Sequence, residues 1–231
     1  MIVFVGDTHG EFVFLPKILK NVPEDATIIQ VGDFGFYPGY YEREWNRIWK
    51  SMDRKTPMYF IDGNHEYHPN LSHDKPKEVW QGLIHLPRAS RMEIDGKNIV
   101  FFGGAFSPDR VFRVLGRDYF RDEVPSQEQF QKLLDIDVKV DLFVTHTAPQ
   151  SVIDAWFPHP SVFKDWELPR DWFDPTARMV EKAWTKFGKP PMVCGHFHKT
   201  VVSYPGPVRL LDVNEIYEWR TDGEHVCSKS S

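Results

Sequence analysis

Apolar residues in this chain come in short unbroken runs, each stopped by a glycine, a threonine or a polar cluster, with longer spaced patterns between them. Ile2 to Val5 is apolar throughout, as a strand buried on both faces must be. Thr27 to Val31, Met58 to Ile61, Asp141 to Thr145 and Met192 to Cys194 repeat the pattern. Between them lie helical periods. Glu11 to Lys20 reads as a short helix provided that Pro16 sits in its first turn. Tyr40 to Asp53 places Trp45, Ile48, Trp49 and Met52 on one face. Ser126 caps a helix running to Leu134. Asp174 and Pro175 open another, which Gly188 closes just past Phe187.

Strand alternating with helix over the first 61 residues predicts βαβαβ winding and a mostly parallel sheet. From Leu83 to Gly103 the texture changes. Ile84, Met92, Ile94 and the run Ile99 to Phe102, punctuated by Asp95 and Gly96, predict a hairpin of antiparallel strands. Short strands at Val201 to Tyr204, Val208 to Leu211 and Ile216 to Trp219 end the pattern. The expected class is α/β, with two packed sheets flanked by helices.

Composition narrows this reading. At 231 residues, with 41% hydrophobic and 26% charged residues, the chain has the material for one α/β domain over residues 1–231, with a polar, frayed tail at 222–231. A formal charge of −5 gives no reason to expect strong attraction to nucleic acid or anionic membrane, although a local basic patch is compatible with it. No apolar run approaches the roughly 18 residues of a membrane helix, and Met1 to Val5 has no basic flank, so a cytoplasmic protein is expected. Cys194 and Cys227 make neither a disulfide framework nor a zinc cage, and Cys194 belongs to the core. Trp45 and Trp49 read as core. The aromatic insertion Pro149 to Trp172, with Trp156, Phe157, Trp166 and Trp172, reads first as a satellite hydrophobic cluster and second as a lid or stacking wall.

The chemistry sits at the strand ends. Asp7 with His9, Asp33, Asn64 with His65, His146, and His196 with His198 follow five separate apolar runs. In wound α/β sheets the carboxyl ends of neighbouring strands meet at one edge, so these residues are expected around one pocket. On an extended backbone His196 and His198 would project to the same side. Seven oxygen or nitrogen ligands without a thiolate are too many for one structural zinc and suit two divalent ions such as Mn²⁺, Fe or Zn²⁺, with Asp33 as a natural bridge. The remaining histidines, His68, His73, His85, His159 and His225, read as surface or substrate-side residues.

Together the blocks Gly6-Asp7-Thr8-His9-Gly10, Gly32-Asp33, Gly63-Asn64-His65-Glu66, Thr145-His146 and Gly195-His196-Phe197-His198 resemble the five signature blocks of the calcineurin-like metallophosphoesterases, across nearly the whole chain. The likeness is to small prokaryotic or phage-type members, distantly similar to serine/threonine protein phosphatases. It implies a four-layer sandwich of two mixed β-sheets flanked by helices. It also implies that Asp7, His9 and His198 hold one metal, that Asn64, His146 and His196 hold the other, and that Asp33 is shared. His65 would be the catalytic histidine rather than a ligand. Two such ions clamp an in-line displacement at phosphorus and activate a water for the attack, and His65 would give a proton to the leaving oxygen. The implied activity is hydrolysis of a phosphomonoester or phosphodiester in a phosphorylated small molecule, a nucleotide or a phosphoprotein.

The protein phosphatase branch carries a second Asp and an Arg where this chain reads Phe36 and Tyr37, which argues against a protein phosphatase. A loop opening at Gly103-Gly104 and carrying Arg110, Arg113, Arg117 and Arg121 resembles a loop of small prokaryotic members, and Arg110 or Arg113 is expected to clamp substrate phosphate. Three alternatives accompany this reading. One is a nuclease, with nucleic acid as a partner that the net charge does not favour. Another is a cyclic-nucleotide or dinucleoside polyphosphate phosphodiesterase. The third is a non-catalytic protein-binding scaffold on the same fold.

Overall fold

The computed structural model describes residues 1–157, 173–202 and 207–220, and the backbone of 226–228. Strands β1 (Ile2–Val5), β2 (Thr27–Gln30) and β3 (Met58–Phe60) pair in parallel and continue to β5 (Leu83–His85), also parallel. The antiparallel β4 (Lys77–Trp80) closes that edge. On the far side of β1 the chain adds β12 (Ile216–Trp219) and β13 (Val226–Ser228), both antiparallel, to complete a seven-stranded sheet. The second sheet has six strands in the order β10 (Val201–Val202), β11 (Val208–Leu210), β9 (Met192–Cys194), β8 (Leu142–Thr145), β7 (Lys97–Phe102), β6 (Ser90–Ile94). Its four central strands run parallel, and both edge strands are antiparallel.

Three apolar layers explain why the strand runs are continuous rather than alternating. Side chains alternate across a strand, and here both faces of the central strands are covered. Ile2, Phe4, Ile29, Val31 and Ile61 of the first sheet meet Phe101, Leu142, Val144, Val193 and Leu211 of the second between the sheets. Val3, Val5, Ile28 and Phe60 face outward to Trp45, Ile48 and Trp49 on helix α2 (Glu42–Met52). Val100, Phe102, Phe143 and Cys194 face helices α3 (Gln127–Leu134) and α5 (Pro175–Lys186) through Phe130, Leu133, Val180, Ala183 and Trp184. Two mixed sheets flanked by helices is the architecture expected. Ser126 closes a capping box with Gln129, and the Asp174 side chain accepts from Thr176 N–H, so both predicted N-caps hold.

Several local expectations are corrected. Instead of one helix over Glu11 to Lys20, a 3-10 turn at Phe12–Phe14 precedes a single turn, α1 (Leu15–Ile18), with Pro16 at its start. Leu83 and Ile84 do not join the hairpin. They form β5 beside β3, and the chain then crosses to the second sheet, where β6 and β7 make the predicted hairpin. β4 had no signal in its sequence, where Lys77 and Glu78 are exposed at a sheet edge. His68 and His85 are buried rather than at the surface. His159 and His225 lie outside the described residues, as do Trp166 and Trp172. The insertion begins with helix α4 (Gln150–Trp156), after which Phe157 stacks on Phe197 at 4.5 Å between ring centroids. Of the tail expected to fray, Val226–Ser228 pairs with β12. No helix among the described residues is long and apolar enough to cross a membrane.

Candidate metal centre

The five ligand blocks leave the ends of β1, β2, β3, β8 and β9, neighbouring central strands of two facing sheets, and their loops meet at one rim. Two groups form there. Asp7, His9, Asp33 and His198 make one, and Asp33, His146 and His196 make the other, with the ligating atoms of each group within 4.8 Å of one another. Asp33 belongs to both. Asn64 sits with the second group, its Oδ1 3.3 Å from His146 Nε2.

The backbone reaches this arrangement in a way that sequence periodicity misses. His9, Asp33, His196 and His198 all take left-handed φ, between +47° and +70°. Such conformations cost on the order of 1 kcal/mol or more each, and they persist only where surrounding contacts hold them. Here Thr8 and His9 N–H donate to the Asp33 carbonyl at 3.0 and 2.8 Å, and His196 N–H donates to the Asp7 carboxylate at 3.0 Å. His196 and His198 are therefore not two teeth of one extended strand. Each is turned in separately, His196 toward His146 (ring centroids 4.9 Å) and His198 toward His9 (4.9 Å).

The glycine preceding a ligand has a steric cause in two blocks. A Cβ on Gly63 would lie 2.2 Å from Asp33 Oδ1, and one on Gly195 would lie 2.1 Å from Asp7 Oδ1. Only a bare backbone lets these carboxylates approach.

The donor set suits divalent cations. Asp7 and Asp33 are buried, and among the described residues they form ion pairs with histidines alone. Buried carboxylates require a cation or a metal beside them. His146 Nδ1 donates to the Val31 carbonyl at 2.9 Å, so the proton is on Nδ1 and Nε2 faces Asp33 Oδ1 at 3.3 Å. An imidazole anchored by a backbone carbonyl on one nitrogen, with the other turned toward the carboxylate and amide of the pocket, is the usual second-sphere arrangement of a metal-binding histidine. Burial alone would raise the Asp33 carboxyl, but His146, His65 and His9 outweigh it and hold it well below the ordinary range. Burial opposes charge on His146, yet Asp33 raises that imidazole to about 10.

His65 lies beside the groups, half-buried, its N–H donating to Asp33 Oδ1 at 2.7 Å and its ring 5.0 Å from that of His9. Arg113 Nη2 is 2.5 Å from His65 Nε2, and its Nε donates to Asp109 Oδ2 at 2.7 Å. Burial lowers the His65 pKa and Arg113 adds to that, against Asp33. Arg110 turns elsewhere. It donates to Glu123 Oε1 at 2.8 Å and lies over the Phe106 ring.

Sequence reasoning missed several residues. Glu66, fully buried, accepts from Phe34 N–H at 2.6 Å and Gly63 N–H at 2.8 Å, tying the loop after β2 to the loop after β3. Its place in the Gly63 to Glu66 block was the available signal. Ser107, Glu123, Asp62 and Arg88 carried none.

A family model for calcineurin-like phosphoesterases matches residues 1–200. The chain belongs to that family. It has the fold of a Staphylococcus aureus protein provisionally named a 5′-nucleotidase, whose structure was solved with alpha-ketoglutarate. The TM-score is 0.51 and the identity 10%, over 98% of this chain and 52% of that one. The chain therefore spans about half the length of that relative. Also similar are NAD nucleotidase of Haemophilus influenzae (14% identity, TM-score 0.42, 97% of this chain and 43% of that one) and calcineurin-like phosphoesterase YfkN of Bacillus subtilis (12%, 0.42, 98% and 87%). A search of curated protein sequences finds no match. Family and donor set together make the Asp and His cluster a candidate site for divalent metal ions.

Proposed function

We propose that this phosphoesterase hydrolyses phosphate esters with two divalent cations, Mn²⁺ before Fe or Zn²⁺, one held by Asp7, His9 and His198 and the other by Asn64, His146 and His196, with Asp33 shared. The observation that carries this reading is the pair of Asp and His groups meeting at Asp33 in a member of this family. When bound, such ions supply charge stabilisation at phosphorus and a water acidic enough to attack near neutral pH. The chain's own residues supply the rest. His65 donates a proton to the leaving oxygen. Arg113, braced by Asp109 and touching His65, brings a permanent cation to the place where phosphate oxygens would lie, and its planar fork suits two of them at once. Arg110, occupied by Glu123, is the weaker candidate for that contact. The substrate is a phosphorylated small molecule, a nucleotide or a phosphoprotein.

A hydrolysis panel in Mn²⁺ tests the reading: p-nitrophenyl phosphate, bis-p-nitrophenyl phosphate, a phosphopeptide, a mononucleotide and a cyclic nucleotide. Activity on at least one of these, removed by EDTA and by Asp33→Asn, is expected. The ratio of the first two rates separates monoesterase from diesterase. Metal-loaded protein inert toward all five would overturn the proposal and leave the nuclease, dinucleoside polyphosphate and scaffold alternatives.

A further inference from the structure

Asn64 is the one amide in the donor set, and an amide presents either an oxygen that binds a cation or an NH₂ group that does not. Which end faces the metal pocket depends on what holds the other end. Asn64 Nδ2 is 3.1 Å from Ser107 Oγ, and Ser107 Oγ is 2.8 Å from Glu123 Oε2. Glu123 Oε1 also accepts from Ser107 N–H at 3.0 Å and from Arg110 Nη2 at 2.8 Å. Asn64, Ser107 and Glu123 are all buried, so water does not compete for these bonds.

The chain of bonds has a direction. A carboxylate only accepts, so the Ser107 hydroxyl hydrogen must go to Glu123. The Ser107 oxygen then has only lone pairs left for Asn64, and only the NH₂ end of the amide satisfies them. Oδ1 is thereby turned toward His146 and the second Asp and His group. Burial raises the Glu123 carboxyl, but Arg110 and the Ser107 N–H and hydroxyl all donate to it, and these bonds favour the ionised form that sets the direction of the relay.

We infer that Ser107 and Glu123, with Arg110 behind them, are positioning residues that hold the Asn64 amide with its oxygen toward the metal pocket. This rests on the two-cation reading above. Glu123→Gln keeps size and shape but gives the relay an end that can donate as well as accept. Ser107 can then donate to Asn64, the amide can turn over, and an NH₂ group faces the cation. Ser107→Ala removes the link altogether. Removing an outer partner of a metal ligand typically weakens the metal by 10–100-fold.

The test is Mn²⁺ titration of the EDTA-stripped full chain by calorimetry, with free Mn²⁺ followed by its electron paramagnetic resonance signal. Wild type is expected to bind two equivalents. In Glu123→Gln and in Ser107→Ala, one equivalent should weaken by about 10–100-fold while the other keeps its Kd, a selectivity that general loosening of the fold would not produce. Should the glutamine variant fail to fold, the alanine variant carries the test by itself. Two equivalents at wild-type affinity in a folded variant, or equal weakening of both, overturns the inference while the two-cation reading stands. Wild-type protein that takes up no Mn²⁺ overturns both.

Discussion

Arg88 makes a buried ion pair with Asp62 outside the candidate metal centre, and its removal has a calculable cost. It lies on the crossing from the first sheet to the second, 4% exposed, beside an Asp62 that is 0% exposed. Its Nε and Nη2 reach Asp62 Oδ2 at 2.8 and 2.5 Å, Nη2 also donates to the Asp122 carbonyl at 2.6 Å, and Nη1 reaches Gln129 Oε1 at 3.1 Å. Asp62 stands two residues before Asn64, and its carbonyl accepts from Gly104 N–H at 2.7 Å. Arg88→Met leaves the Asp62 carboxylate buried with His85 as its nearest partner, at 3.3 Å. Breaking one side of such a pair costs about 3–5 kcal/mol. At roughly 2–4 °C per kcal/mol for a chain of this size, the melting temperature should fall by about 10 °C.

The pH dependence carries the same signature. In the wild type, burial raises the Asp62 carboxyl, but Arg88 and His85 override it and hold the pKa well below the ordinary value. A depressed carboxylate contributes stability above its unfolded pKa and loses it as pH falls through the folded one. Without Arg88 the burial effect prevails and the carboxyl rises. The deficit of Arg88→Met is therefore largest near pH 7 and shrinks toward acid, as Asp62 takes a proton instead of holding an unpaired charge. The double variant Asp62→Leu/Arg88→Met removes both charges and should recover most of the loss. Urea unfolding followed by tryptophan fluorescence, in EDTA at pH 7 and pH 5, measures all three proteins. A single-variant loss under about 1 kcal/mol, or a double variant no better than the single, would show that the pair does not carry this part of the fold.

Three further outcomes are expected. His65→Ala should lower kcat by roughly 10²–10⁴-fold on alkyl phosphates, whose leaving oxygen needs a proton, and much less on p-nitrophenyl phosphate; equal losses on both would remove His65 from the proton-donating role. Asp174, buried at the cap of α5, has its carboxyl raised by burial to about 6. A raised carboxyl favours the protonated native state, so the wild type loses stability as pH climbs from about 4 to about 6. Asp174→Asn, which keeps the cap, should be more stable by about 2–3 kcal/mol above that window and no more stable below it, as thermal unfolding at pH 4 and 7.5 would show. Gly63→Ala drives a Cβ to 2.4 Å from Asp33 N and 2.7 Å from His146 Nε2, so Mn²⁺ affinity should fall at least tenfold while circular dichroism is retained; wild-type affinity in that variant would mean the loop shifts without disturbing Asp33.

The amino-acid sequence by itself determined the parts of this protein whose cause is local. Continuous runs such as Ile2–Val5 must be strands covered on both faces, and the ligand-type residues that follow each run stand at the strand ends. The caps at Ser126 and Asp174 lay within three residues of the groups they satisfy. Tertiary structure alone decided the rest. The pairing of Asp62 with Arg88 spans 26 residues and that of Asn64 with Ser107 spans 43, and nothing near any of the four announces a partner. β5 left the predicted hairpin because the edge of β3 was open to it, which no periodicity encodes. His196 and His198 sit at the spacing that an extended strand would align, yet each takes a left-handed backbone, and for His196 a hydrogen bond from its N–H to the distant Asp7 carboxylate holds it in place. Residue types and local period carry strand and cap information, whereas the direction of a hydrogen bond and the pairing of a buried charge exist only once water has been excluded between parts of the chain far apart in sequence.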